Sequence, residues 1–237
     1  MNLQIIILKY QNLILELFKP NIVKKLFAVI ILINYSQIFP QKNYDKDFYG
    51  GLFYLSDYIS SENFVKYKIK NNDLALVDSL FTQGLKFFDG NISEALLCLT
   101  FTCLPFNHIE IKFFNSKLRL PLPSPPKKVF DLRLNNLPAH LFFNSPQNDF
   151  GDKDKLSHFF GNAFLRYNFS PFNFSKFMGI FVETTEQNFF ANGGFDYRDL
   201  IANHLGELFA EMLKKDKNAK PSKALLIYQI LFFRDRI

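Results

Sequence analysis

The sequence predicts a mainly α-helical, bundle-like domain that contains one β-hairpin. Apolar residues recur at helical spacing in several separate segments after residue 70. The region 109–122 instead alternates apolar and charged side chains with the period of two that strands show. Hydrophobic residues make up 48% of the 237-residue chain and charged residues 21%, so we expect a packed core rather than global disorder.

Residues 1–41 differ in character from the rest of the chain. Lys24 and Lys25 precede an apolar run at 26–33, which is the order found in a secretory signal peptide. This run is too short to cross a bilayer alone, because a spanning helix needs about 20 apolar residues. We expect either a signal-like, membrane-associating segment that leads to the cell envelope, or a buried helix. Residues 42–237 are expected to form a single mainly helical domain.

Two helices are predicted in the first half of this domain. The first begins at Asp73, which can cap it, and ends at Asp89 and Gly90. The second runs over 93–104 and ends before a proline, because the residue that precedes proline disfavours helical backbone.

Next in the chain come the hairpin and a stretch without a clear pattern. The hairpin strands are predicted around Ile109–Phe113 and Leu118–Leu122, with the turn at Asn115 and Ser116. Residues 129–150 contain two prolines and little periodicity, so we expect irregular chain there.

A first motif-bearing helix is predicted to start near Asp152, within the region 150–212. Asp154 and His158 lie one turn apart at the border of its apolar arc, within reach of a hydrogen bond or an ion pair. The opposite arc is expected to face solvent. It consists of Lys155, Asn162 and Arg166.

A second motif-bearing helix is predicted to begin after Asp196, which is a good N-cap. Asp199 and Asn203 share a narrow stripe with Gly206, and small residues let another helix approach closely. We therefore expect Asp199 and Asn203 to be partly buried. Buried polar groups need partners, and His158 and Asp154 are the candidates.

Two further carboxylates lie between these helices. Glu183 and Glu186 are one turn apart on a segment predicted to be helical from Ser170 and Pro171. At this spacing they repel one another unless they are hydrated, bridged by a cation or protonated.

These residues, in this order, resemble the VanZ-like and YfiM-type families of bacterial envelope proteins. The resemblance covers about residues 150–212 and depends on D-K-x-x-H-F at 154–159, Glu183, and D-x-x-D-L-x-x-N-x-x-G at 196–206. It implies a helical, envelope-associated protein. The motif positions that it implies are Asp154, His158, Glu183, Asp199 and Asn203. Because the chain lacks the multiple membrane spans of the first family and the lipoprotein cysteine of the second, a soluble or peripherally attached version is implied.

The charge and cysteine content of the chain indicate which classes of partner and cofactor to expect. The net charge is +6, but the basic residues are spread along the chain and no dense Lys/Arg block is present, so we expect no nucleic-acid partner. A membrane surface or another envelope component is the expected partner, and the oligomeric state is left open. The sequence has no paired C-x-x-C motif and no dedicated metal motif, and we predict neither a metal nor a cofactor.

Two functions fit this pattern. In the first, the His/Glu/Asp/Asn cluster fixes helix packing in an envelope protein with a scaffold or interaction role. In the second, the protein is a hydrolase that acts on an envelope lipid or glycan. There His158 serves as acid/base or metal ligand and Glu183 and Asp199 as base or ligands. Asp154, Asn203 and Glu186 would complete that site by binding and orientation.

Overall fold

The computed structural model describes residues 44–113, 116–169 and 196–234. Eight helices and one antiparallel hairpin make up these described ranges, which confirms the mainly α class and the single hairpin. In chain order they are α1 (Phe48–Ser60), α2 (Glu62–Lys70), α3 (Asp73–Phe87), α4 (Ile92–Thr102), β1 (His108–Phe113), β2 (Ser116–Pro121), α5 (Lys127–Asn136), α6 (Lys153–Asn168), α7 (Tyr197–Lys215) and α8 (Pro221–Arg234). The N-terminal segment 1–41 lies outside the described residues, and so does the segment 170–195.

The predicted helix over 73–88 is confirmed, but its cap was assigned one residue too late. Asn72 is the N-cap of α3, and its Oδ1 accepts a hydrogen bond from the backbone N–H of Ala75 at 2.9 Å. Asp73 is the first helical residue, and its carboxylate does not cap the helix but binds another segment of the chain. It accepts the backbone N–H groups of Ala139 at 3.0 Å and His140 at 2.6 Å, and thereby ties a distant loop to the start of α3.

The hairpin has the predicted strands and a turn that is one residue earlier than expected. Ile111 pairs with Leu118 and Phe113 pairs with Ser116 in the antiparallel register. Ser116 therefore already belongs to the second strand. Residues 114–115, which connect the strands, lie outside the described residues.

The prediction of irregular chain over residues 129–150 was wrong for the first part, because α5 occupies residues 127–136, and it is confirmed for residues 137–150, which form neither helix nor strand. The most buried side chain of α5 is a charged one, Arg133, which is only 1% exposed. Arg133 donates to the backbone carbonyls of Thr102 and, at 2.9 Å, of Leu104, and so satisfies the end of α4. Burial lowers the pKa of Arg133 to about 10, so the guanidinium stays charged at neutral pH. A search for apolar periodicity misses a helix whose buried anchor is an arginine.

Helix α6 lies between α4 and α7 and positions the site. The ring of Phe159 on α6 stacks on Phe209 of α7 with centroids 5.5 Å apart, which places the core contact beside the polar residues. A Cβ added at Gly206 would lie 2.2 Å from the carbonyl oxygen of Phe159, so α6 and α7 touch through their backbones. The close approach predicted for the small-residue stripe is confirmed. Gly161, the glycine of α6, faces the side chain of Thr100 on α4 instead.

Candidate functional site

A buried lysine is the centre of the site. The side chain of Lys155 is 4% exposed, and its Nζ lies 2.7 Å from Asp154 Oδ2, 2.7 Å from Asp199 Oδ1 and 3.1 Å from Asp196 Oδ2. Burial by itself would lower the pKa of Lys155, but the hydrogen bonds to these carboxylates outweigh it and raise the pKa above its usual range. The prediction that Lys155 faces solvent was wrong, because α7 covers that arc of α6 and brings two aspartates to it.

A second cation, Arg198 in the first turn of α7, extends the network. Its Nη2 and Nε donate to the two carboxylate oxygens of Asp196 at 2.6 and 3.1 Å, and its Nη1 donates to Asp152 Oδ1 at 3.0 Å. Asp152 is fully buried and also accepts from the hydroxyl of Ser145, and burial raises its pKa. Asp196 keeps its predicted capping role by accepting the backbone N–H of Arg198. The side chain of Arg198 holds the pKa of Asp196 well below its usual range.

The imidazole of His158 lies at the edge of this network. Its Nδ1 is 3.2 Å from Asn203 Oδ1, and its Nε2 is 3.5 Å from Asp199 Oδ1. Asn203 Oδ1 also accepts from Asn162 Nδ2 at 2.6 Å, so the shared oxygen makes His158 Nδ1 the donor. Asn162 and Asn203 are 4% and 3% exposed, whereas the His158 side chain is 41% exposed. The solvent position predicted for Asn162 was therefore wrong.

The four predicted site residues that fall within the described ranges lie in this one cluster. His158 contacts Asp199 and Asn203 directly, and Asp154 is linked to Asp199 through Lys155. Asn203 is buried and Asp199 is partly exposed. Glu183 and Glu186 lie outside the described residues.

Five other members of the cluster were not predicted as site residues. They are Asp152, Lys155, Asn162, Arg198 and Asp196, of which Asp196 was predicted only as a helix cap. The amino-acid sequence contains a pattern that could have identified two of these residues. Lys155 directly follows Asp154, and Arg198 lies between Asp196 and Asp199, so each cation has an acid within two positions in the sequence itself. Nothing comparable marks Asp152 or Asn162.

Carboxylates outnumber the lysine and arginine side chains of the cluster. Four carboxylates face Lys155 and Arg198, and burial raises the pKa of one of them, Asp152. Within the described residues, no group of three or more His, Cys, Asp or Glu side chains is arranged to hold a metal ion. The ammonium of Lys155 takes the central position between the carboxylates. Ser157, the neighbour of His158, donates its hydroxyl to the carbonyl of Asp154 at 2.7 Å.

Comparison of the chain with protein-family models, with curated proteins and with solved structures finds no match. Among the helices of the described ranges, none has the length and apolar character that crossing a membrane requires.

Proposed function

We propose that this is an envelope-associated helical protein with a scaffold or interaction role, in which the cluster around Lys155 fixes how α6 packs on α7. The observation that carries the packing role is the buried ammonium, whose carboxylate partners come from both helices. A slip of one helical turn moves α7 by about 5.4 Å and separates Lys155 from Asp196 and Asp199. Because a buried charge without a partner is strongly destabilising, such alternative registers are disfavoured.

The cost of burying charged groups favours specificity over stability as the role of this network. A buried ion pair is often no more stabilising than a well-packed apolar pair of the same volume, but it penalises arrangements that leave one partner alone. The backbone contact at Gly206 has the same consequence, because a side chain at this position would collide with the Phe159 carbonyl oxygen and force the two helices to shift. A helix pair defined in this way presents its outer surface in one fixed orientation, which a scaffold or interaction protein needs.

The envelope location is supported by the sequence. Two lysines precede the apolar run at 26–33, and the motif residues resemble those of envelope families. The test is fractionation of the full chain in a bacterial expression host, beside a variant with Ile30→Lys and Leu32→Lys. We expect the unaltered chain in the membrane or periplasmic fraction and the variant in the cytosol. Recovery of both in the cytosol would contradict the proposal.

A second candidate function is hydrolysis of an envelope lipid or glycan, and one observation favours it. The imidazole of His158 is 41% exposed, whereas Lys155 and Asn203 behind it are buried. Asn203 orients the ring through Nδ1, and Nε2 faces Asp199 at the accessible side. An oriented, accessible imidazole beside a carboxylate is suited to acid/base catalysis.

One pair of variants separates the two functions. His158→Ala removes the exposed imidazole, and Asp199→Asn removes a carboxylate that Lys155 needs. The packing role predicts a clear fall in melting temperature for Asp199→Asn, a small one for His158→Ala, and no turnover of phospholipid or peptidoglycan by the unaltered protein. The hydrolase predicts turnover that His158→Ala abolishes while its melting temperature stays within about 2 °C of the unaltered value, a shift of under about 1 kcal/mol.

A further inference from the structure

A cavity of about 430 Å³ lies apart from the Lys155 cluster, between the end of α5 and the first turn of α6. The side chains with acidic or basic groups that line it are Lys68, Asp73, His140, Asp149 and Lys153. The Lys155 cluster uses none of these groups. The cavity combines residues from α2, α3, α5 and α6 with the loop that precedes α6.

Lys153 is a buried cation without a carboxylate partner. The residue is 5% exposed, and its Nζ reaches only the backbone carbonyl of Asn135 in the described part of the chain, at 3.4 Å. An ammonium has three N–H donors, so two of them have no protein acceptor. Burial lowers the pKa of Lys153, and the neighbouring charge of Lys68 lowers it further. A charge held in this way is unfavourable unless something else balances it.

Lys68 brings a second ammonium to the same point. Its Nζ donates to the carbonyls of Asn135 at 3.2 Å and Asn136 at 3.3 Å. These carbonyls end α5, where the helix macrodipole supplies a partial negative charge of about one half. The two ammonium groups therefore share the Asn135 carbonyl, and in the described part of the chain their direct contacts are to backbone carbonyls alone.

The acids of the cavity do not neutralise these lysines by direct contact. Asp73 Oδ2 already accepts the backbone N–H groups of Ala139 and His140, and His140 Nδ1 lies 3.4 Å from it. Asp73 and Asp149 attract Lys153 from a distance, but neither forms an ion pair with it. A position for an anion is thus left between Lys68 and Lys153.

We propose that this cavity binds a phosphate group, held between the ammonium groups of Lys68 and Lys153. A divalent anion neutralises both cations at once, and its oxygens accept the N–H donors that the protein leaves unused. The phosphate belongs either to a small soluble phosphate ester or to a lipid headgroup. Tyr67 and Ile69, which flank Lys68 on α2, are 40% and 80% exposed, so a lipid surface is a sensible source to test.

The binding test uses the full chain and three variants. Inorganic phosphate and glycerol phosphate are titrated in a calorimeter, and vesicles of phosphatidylcholine with or without phosphatidic acid are tested by flotation. Loss of one charge-assisted contact is expected to weaken binding at least about tenfold for Lys153→Met and for Lys68→Met. Lys70→Met is the matched control: it removes one exposed charge from the same helix outside the cavity, and it should bind within about twofold of the unaltered protein.

The two sources give different results that both support the site. Binding of the soluble probes assigns a free phosphate ester, and binding only to vesicles with phosphatidic acid assigns a lipid headgroup. The proposal is overturned if the unaltered protein binds neither probe nor vesicles, or if both cavity variants bind as tightly as Lys70→Met.

A thermal measurement separates this role from simple capping of α5 by the two lysines. In phosphate-free buffer we expect Lys153→Met to melt no lower than the unaltered protein, because methionine of similar length removes an unpaired buried charge. Phosphate at about one hundred times the Kd of the unaltered protein should raise its melting temperature by about 5 °C or more, and should raise that of Lys153→Met by no more than about half as much, because the variant binds at least about tenfold more weakly. A capping role alone predicts the reverse: Lys153→Met melts lower and phosphate shifts neither protein.

Discussion

Replacement of Lys155 by methionine tests whether the buried cluster holds α6 against α7. Methionine fills a similar volume, so the change removes the charge and leaves the packing nearly intact. The three carboxylates around Nζ then face one another, with Arg198 bound to Asp196 and His158 beside Asp199. Removal of one partner from a buried ion pair costs about 3–5 kcal/mol. Because the side chains of Asp154, Asp196 and Asp199 are 25%, 26% and 31% exposed, water relieves part of this cost and the lower end applies.

The expected effect is therefore a loss of about 3 kcal/mol, which lowers the melting temperature by about 6–12 °C for a chain of this size. The measurement is thermal unfolding followed by circular dichroism at pH 7. Lys217→Met is the matched control, since it removes one positive charge from an exposed turn and should shift the melting temperature by less than about 2 °C.

A pH series distinguishes the charge effect from a packing defect. Acid removes the negative charge of a carboxylate, so the repulsion that the variant leaves uncompensated weakens as the pH falls. The difference between Lys155→Met and the unaltered protein should be largest at pH 7 and should shrink as the pH falls below about 4. A variant that melts within about 2 °C of the unaltered protein at pH 7, or a difference that is the same at both pH values, would refute the reasoning.

Three further predictions concern the fold around the cluster. Gly206→Ala should lower the free energy of unfolding, measured in urea, by about 1–3 kcal/mol, because the new Cβ would lie 2.2 Å from the Phe159 carbonyl oxygen. Gly161→Ala places its Cβ against a side chain instead, so its free energy of unfolding should stay within about 1 kcal/mol of the unaltered value. Arg133→Met should lose about 2–3 kcal/mol in the same assay, because two carbonyls at the end of α4 lose their donor. The pKa of Asp196 is depressed in the folded protein, so its contribution to folding stability is present above its unfolded pKa of about 4 and is lost as the pH falls. Asp196→Asn should therefore make the melting temperature depend less steeply on pH in the acid range.

Each of these has a result that contradicts it. Equal stability of the two glycine variants would mean that the backbone contact between α6 and α7 is not tight. A neutral Arg133→Met would mean that water satisfies the α4 carbonyls. An unchanged acid profile in Asp196→Asn would mean that Arg198 does not control its titration.

Several features of the fold follow from local sequence alone, and the structure bears them out. Helical spacing predicts α3, α4, α6 and α7, and period-two alternation predicts the hairpin. These patterns depend on which residues share one face of one element, and that is fixed by backbone geometry within a few residues. The same logic fails for α5, because its buried anchor is the arginine at 133.

The candidate site likewise has a part that the local sequence predicts and a part that it does not. Sequence order places Asp154 and His158 on one helix and Asp199 and Asn203 on another, with small residues that allow close approach. Sequence order does not say which arc of α6 the second helix covers.

Sequence patterns alone therefore predict α3, α4, α6 and α7, the hairpin, and the polar residues that α6 and α7 carry. Only the tertiary structure decided that Lys155 is buried, that Arg198 joins Asp152 to Asp196, and that Lys68 and Lys153 meet at the end of α5. The physical reason is that burial of a charge depends on partners from distant segments. A lysine at a polar position of an isolated helix has the same local pattern whether water or three carboxylates surround it.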